Sequence, residues 1–364
     1  MKQVILNRKA SDLRLLHKPT RTMPRGSTRR RSKIEKMTLS LLLMLSVTGS
    51  LFLANVEQVS AIGSPFLPKT TMIAQWKALC DAHPQYASYE SIGKTVRGQN
   101  IWMFKIGTPS GGKVMYDGQC HGTEDSGTEV LYTFCKWLLE SGDTTAQRIL
   151  QRNYHLIIPI VNMDVSDDKP NANGVDLNRN GVYGWGQSGS SDPNAADYRG
   201  PSAGSEPETQ VLRRAWQTWQ PKIYVNTHHG LYRAYHVSNT ALEQQIISLY
   251  QQKSAQLRSN NPYPTSTIGT GGMLAVDSDM SFGVSGWLWE LEGWQDLATI
   301  QAATQSPTVA AQMLMDQIYD DAFPLLLSFA EAVEVTPSVT PNPTPTPYSD
   351  SQQIQMSGTI VYAS

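Results

Sequence analysis

The chain has 364 residues, 40% hydrophobic and 17% charged, with a formal net charge of −1. This is ordinary globular composition, enough for one large domain or two small ones. Three cysteines, Cys80, Cys120 and Cys135, exclude a disulfide framework, and the absence of a CxxC pair argues against a thiolate zinc site.

The charge is unevenly placed. Residues 1–36 hold twelve Lys/Arg against two Asp/Glu, and the rest of the chain eighteen against twenty-nine. The basic block lacks the aromatic interleaving of a nucleic-acid-binding arm and reads as a targeting or disordered tail. The apolar run Leu39–Leu45, then Leu51–Ala54, and the small residues of Val59–Ala61 follow it. Basic flank, apolar core and small residues read as a secretory signal peptide over 1–61, with Met37 an alternative start and an uncleaved membrane anchor the alternative role. Secretion is therefore expected, with membrane attachment only in the anchored case.

The elements after residue 62 alternate. Helical spacing marks 72–81 and 129–140, where Leu131, Phe134, Trp137 and Leu138 share a face. Residues 101–106, 113–116, 154–161, 223–226 and 284–291 read as strands. Further helices are expected over Thr209–Trp219, with glutamates before it that suit the helix dipole, and over 307–333. Strands separated by helices predict an α/β fold with a mixed, mostly parallel central sheet covered by helices on both faces. The main folded domain is expected over 62–334. Residues 335–347, rich in Pro and Thr, read as an extended linker. Residues 348–364 read as a tail or the start of a further module, with a β-like stretch at 357–362 too short to fold alone.

Four pieces carry chemistry. His121-Gly-Thr-Glu124 sits where a strand gives way to a helix, at the carboxyl edge of the sheet, where open α/β sheets bind ligands. The HxxE spacing alone is weak. Asn226-Thr-His-His-Gly230 ends another strand. Because strand side chains alternate between faces, only one of its histidines can point at a shared metal: His228 is the candidate, His229 the alternative. Two imidazoles and one carboxylate are the protein ligands of an open hydrolytic zinc site. Between them, Gly174-Val-Asp-Leu-Asn-Arg-Asn180 presents Asn178 and Arg179; a guanidinium grips a carboxylate through two parallel hydrogen bonds. Glu290, in Trp287-Leu-Trp-Glu-Leu291, has apolar neighbours that raise a carboxylate's pKa and suit it to proton shuttling.

With these residues in this order, the chain resembles the zinc metallocarboxypeptidases, the carboxypeptidase A-like peptidases. The resemblance spans about 85–334 and includes Ser91–Gly98, HGTE, GVDLNRN, Ser205–Thr209, THHG, the Gly271-Gly272 pair and Trp-Glu-Leu. It implies that His121, Glu124 and His228 hold one zinc ion. It implies that Asn178 and Arg179 bind the terminal carboxylate of a peptide or protein, and that Glu290 promotes attack by the metal-bound water. Leu274 falls at the family's specificity-pocket base and implies an apolar terminal side chain, while nearby Asp277 leaves a basic preference open. There are two departures. Thr267 stands where the family has its mobile tyrosine, and the nearest tyrosine is Tyr263. The family's extra arginine has no counterpart in the compact 162–173 segment, where Lys169 is the only cation; Arg152 lies before the strand. These departures motivate an alternative substrate, the peptide stems of bacterial cell wall, and a third reading is a non-catalytic binding module. A Cys80–Cys135 bridge is conceivable, and Cys120 is expected to pack as a small buried hydrophobe.

Overall fold

The computed structural model describes residues 67–257, 262–291 and 307–334, with the side chains of the last stretch described from residue 316. The expected signal segment over 1–61, the linker over 335–347 and the tail over 348–364 lie outside the described residues.

Eight strands form one sheet in the order β1-β2-β4-β3-β5-β8-β6-β7. They are β1 (Ala87–Lys94), β2 (Asn100–Gly107), β3 (Gly112–Asp117), β4 (Asn153–Ile158), β5 (Ile223–His229), β6 (Arg233–His236), β7 (Thr265–Thr267) and β8 (Ser285–Leu291). The central four, β4-β3-β5-β8, pair in parallel. Antiparallel pairings at β1/β2, β2/β4 and β8/β6 flank them. The expected mixed, mostly parallel α/β sheet is therefore what the chain forms. Its parallel centre puts the carboxyl ends of β3, β5 and β8 on one edge.

Seven helices among the described residues cover it: α1 (Lys69–Ala82), α2 (Ser126–Glu140), α3 (Thr144–Arg152), α4 (Pro207–Trp219), α5 (Ala241–Leu257), α6 (Leu274–Phe282) and α7 (Pro307–Ala332). Strand alternation divides the core in two. Val114, Tyr116, Ile157, Ile223, Val225 and Trp287 pack under α1, α2, α3, α5 and α7. Met115, Leu156, Ile158 and Tyr224, their neighbours in sequence, pack against α4 and α6. Buried residues on both faces explain why the central strands read as unbroken apolar runs.

Local signals account for the ends. Asp143 caps α3, its carboxylate accepting from the Thr145 and Ala146 amides. Pro207 opens α4, which closes on left-handed Gln220, and Gly283 closes α6 at φ +67°. The expected helices and strands are present, with ends shifted by a few residues. β1 was anticipated only in part, through the family likeness of Ser91–Gly98, and β6, β7, α3, α5 and α6 were not anticipated. Cys80, Cys120 and Cys135 are buried free thiols, so no Cys80–Cys135 bridge forms.

Candidate active site at the carboxyl edge of the sheet

The chain leaves β3 at Asp117 and turns through Gln119, a buried non-glycine residue at φ +46°. Left-handed backbone costs such a residue about 1–2 kcal/mol. Packing sustains it: the Asn162 amide donates to the Gln119 carbonyl, and the Gln119 side-chain Nε2 donates to the Gly122 carbonyl. The turn delivers His121, and α2 then begins hard against β5. A Cβ on Gly127 would meet Thr227 Oγ1 at 2.0 Å, so glycine permits this approach and keeps Glu124 beside β5. On β5, Tyr224, Asn226 and His228 share one face, because side chains repeat every second residue. In the parallel register His228 stands opposite Glu290 of β8. Four residues from three segments thus meet at one edge.

Glu124 bridges the two histidines. Its Oε1 lies 2.7 Å from His121 Nδ1 and its Oε2 2.7 Å from His228 Nδ1. The two Nδ1 atoms are 3.3 Å apart. Each ring's outer nitrogen meets an acceptor. His121 Nε2 faces Asp176 Oδ1 at 2.8 Å, and His228 Nε2 faces Asn226 Oδ1 at 2.7 Å. An acceptor there holds the proton on Nε2 and turns the Nδ1 lone pair inward. Two inward Nδ1 atoms and a carboxylate form a donor set that suits zinc. The residues present therefore fit the ion that the resemblance implies.

The charges of the cluster act strongly on one another. Burial alone would lower the His121 pKa, but the Glu124 and Asp176 carboxylates outweigh it and raise it to about 9. Burial also opposes ionisation of Glu124, yet His228 and His121 hold it far below the usual carboxylate range. Asp176, wholly buried, is held low against burial by His121, Lys169 and Arg179. Glu290 behaves differently. Burial raises its pKa, Glu124 adds to the rise, and His228, His121 and Lys169 oppose it.

Cys120 also lies close: donor atoms of Cys120, His121 and His228 fall within 4.8 Å of one another. Its Sγ stands 3.7 Å from His228 Nε2, on the outer side of that ring, and 4.0 Å from Nδ1. Burial pushes its thiol pKa well up, which disfavours the thiolate a metal needs. Glu124, nearer and ionised, is the better third donor.

The remaining predicted residues divide. Asn178 and Arg179 lie in a short 3₁₀ turn, Leu177–Arg179, capped by Asp176. Asn178 Nδ2 is 3.2 Å from His228 Nε2, its Oδ1 accepts from the Leu274 amide, and half-buried Arg179 donates Nη1 to the Asn178 carbonyl. Leu274, the first residue of α6, is fully buried in the core shared with α4, and reaches the site through its backbone amide. Lys169 is engaged behind the site, its Nζ 2.7 Å from Asp176 Oδ2. His229 points to the opposite face, its Nδ1 3.5 Å from Ser126 Oγ. Tyr263 is buried between Tyr232 and Trp289, and Thr267 is exposed on edge strand β7. Asp277 is buried and paired with Arg213. Arg152 pairs with Glu334 at the other end of the sheet. Sequence reasoning missed the outer partners Asp176, Asn226 and Asp117. For Asp176 a signal existed: an acid two residues before Asn178 in a motif already singled out.

Residues 72–263, over half of the chain, match the family described as zinc carboxypeptidase. The chain belongs to the zinc carboxypeptidase family. Among curated proteins it is similar to rat (Rattus norvegicus) mast cell carboxypeptidase A, 27% identical over 38% of this chain and 39% of the relative. It is also similar to Drosophila melanogaster carboxypeptidase D, 27% identical over 30% of this chain and 9% of that protein. The match thus spans well under two thirds of these relatives' length. In fold it is similar to the crystal structure of carboxypeptidase A from Helicoverpa armigera. The TM-score is 0.62 and the identity 18%, over 83% of this chain and 87% of that one.

Proposed function

We propose that the chain is a secreted zinc carboxypeptidase that hydrolyses the C-terminal peptide bond of peptides or proteins. The observation carrying this is the meeting of His121, Glu124 and His228, with Glu290 in register beside His228 on the next strand. Zinc held by these three residues would supply Lewis acidity to the scissile carbonyl and to the attacking water. Glu290 takes the proton of that water and returns it to the leaving amine. Its raised pKa, due first to burial, suits a group that must both accept and release a proton near neutrality. Arg179, preorganised by its bond to the Asn178 carbonyl, takes the terminal carboxylate through paired N–H groups. That grip admits only the last peptide bond to the reacting centre.

The pairing of buried Asp277 with Arg213 argues against a basic terminal side chain, because that acid is already engaged. Burial of Tyr263 and engagement of Lys169 by Asp176 keep a second reading in play, hydrolysis of cell-wall peptide amides by the same residues. Export rests on residues 1–61; among the described residues no helix is long and apolar enough to cross a membrane.

The test is release of free amino acids from a mixed peptide library and from muropeptides, by protein supplied with zinc and by protein treated with a chelator. Glu290→Gln should lower kcat about 10²–10⁴-fold, the usual worth of a positioned general base, with zinc uptake unchanged. If the wild type releases nothing and Glu290→Gln behaves identically, the reading fails. The rate should also fall on acidification with a midpoint above the ordinary glutamate value, because protonated Glu290 cannot accept a proton.

A further inference from the structure

The two histidines are wired to the protein in different ways. His121 gives its Nε2–H directly to a carboxylate, Asp176. His228 meets a neutral amide instead. Asn226 Oδ1 accepts at 2.7 Å, and the Asn226 Nδ2 group donates to Asp117 Oδ1 at 2.8 Å. The other Asp117 oxygen accepts from the Tyr224 hydroxyl at 2.7 Å, and its backbone carbonyl from Thr227 Oγ1 at 2.7 Å. All four members, Tyr224, Asp117, Asn226 and His228, are buried.

Strand geometry dictates the arrangement. Tyr224, Asn226 and His228 repeat every second residue on one face of β5, and Asp117 is the register partner of Asn226 on β3. The amide cannot turn over. The ionised Asp117 carboxylate offers only acceptors, so the Asn226 NH₂ must face it and the Asn226 oxygen must face His228. Asn178 Nδ2 is the other polar group near His228 Nε2, at 3.2 Å, and as a donor it cannot hold that proton. The Cys120 thiol completes the surroundings, 3.7 Å from both Asn226 Nδ2 and His228 Nε2.

We infer that Asp117 and Asn226 are positioning residues: they lock His228 as its Nε2–H tautomer, with Nδ1 turned to the metal. Burial fixes the order of the relay, and the interposed amide passes on the orienting effect of Asp117 without placing a second full negative charge against the ring. His228 is therefore the weaker and more orientation-dependent of the two nitrogen donors. This rests on the reading of His121, Glu124 and His228 as the zinc site.

The test measures zinc affinity by chelator competition at pH 7, on wild type, Asn226→Leu, Asp117→Asn and Glu290→Gln, with circular dichroism checking the fold. Loss of an outer partner typically weakens metal binding about 10–100-fold. Asn226→Leu should fall in that range, Asp117→Asn should lose less, and Glu290→Gln should match wild type. The absorption bands of the cobalt(II)-loaded protein should shift in the first two variants only. Should Asn226→Leu fail to fold, Asp117→Asn, which keeps the side-chain shape, decides the matter. Wild type that binds zinc, with folded variants within twofold of it and unshifted cobalt bands, overturns the relay alone. Wild type that takes up no zinc overturns the site reading and the relay with it.

Discussion

His155 provides a measurement that does not depend on the active site. It lies on β4, fully buried, 6.0 Å from Tyr116 and 5.6 Å from Phe134 between ring centroids. Neither ring nitrogen finds a hydrogen-bond partner among the described residues. Burial pushes its pKa down from 6.5 to about 3. The folded protein therefore keeps this ring neutral while the unfolded chain protonates it. The associated stability is fully present above pH 6.5 and is lost progressively as pH falls toward 3. Between pH 7 and pH 4 the linkage relation gives a loss of about 3 kcal/mol from this one residue. His155→Phe keeps an aromatic ring between Tyr116 and Phe134 and removes the titration; His155→Leu does so with less bulk. The assay is urea unfolding followed by tryptophan fluorescence at pH 7 and pH 4, with a chelator present throughout so that metal release is not a variable. Wild type should lose about 3 kcal/mol more than either variant between the two pH values. Identical losses, or an NMR titration of the His155 ring near pH 6.5 in the folded protein, would refute the reasoning.

Other expectations follow from single contacts. Arg179→Ala removes the paired donors proposed for the substrate carboxylate; charge-assisted hydrogen bonds are worth about 1.5–3 kcal/mol, so KM should rise roughly 10–150-fold in steady-state assays. Peptides with amidated C-termini should be poor substrates of the wild type and little affected by that change. Arg213→Ala leaves Asp277 as a buried acid without its ion pair, and should destabilise by up to about 3 kcal/mol in thermal or urea unfolding. Gly127→Ala drives a Cβ into Thr227 Oγ1 and should displace the start of α2 together with Glu124. Zinc affinity should drop by more than tenfold in that variant, while its sheet signature in circular dichroism persists.

Much of this protein is readable locally. Alternation of apolar runs with helical spacing reports which residues face the core, and that is a property of neighbouring residues. Hence the parallel centre of the sheet, the placing of His121 and His228 near strand ends, and the rule that only one of His228 and His229 can face a shared metal followed from periodicity, while the choice between those two did not. Glu290 stood out because a charge at the end of an apolar run needs a reason, and Asn178 and Arg179 because a polar loop presents a guanidinium in a motif that resembles the family's. The short strands β6 and β7 and the helices α3, α5 and α6 were missed, since weak periodicity there is overridden by packing against the rest of the fold.

Partnership across the chain was not readable. Asp176 meets His121 from 55 positions away, and Asn226 meets Asp117 across 109. Whether an acid is available to a ligand or already neutralised depends on such contacts: Asp277 is taken by Arg213, and Lys169 by Asp176. Whether Leu274 and Tyr263 face a cleft or a core depends likewise on what folds over them, and both are covered. Side-chain periodicity is set by the backbone of a few consecutive residues and so is written in the sequence. The neighbours that set a proton, a charge or a tautomer arrive from other strands, and only the assembled sheet determines which they are.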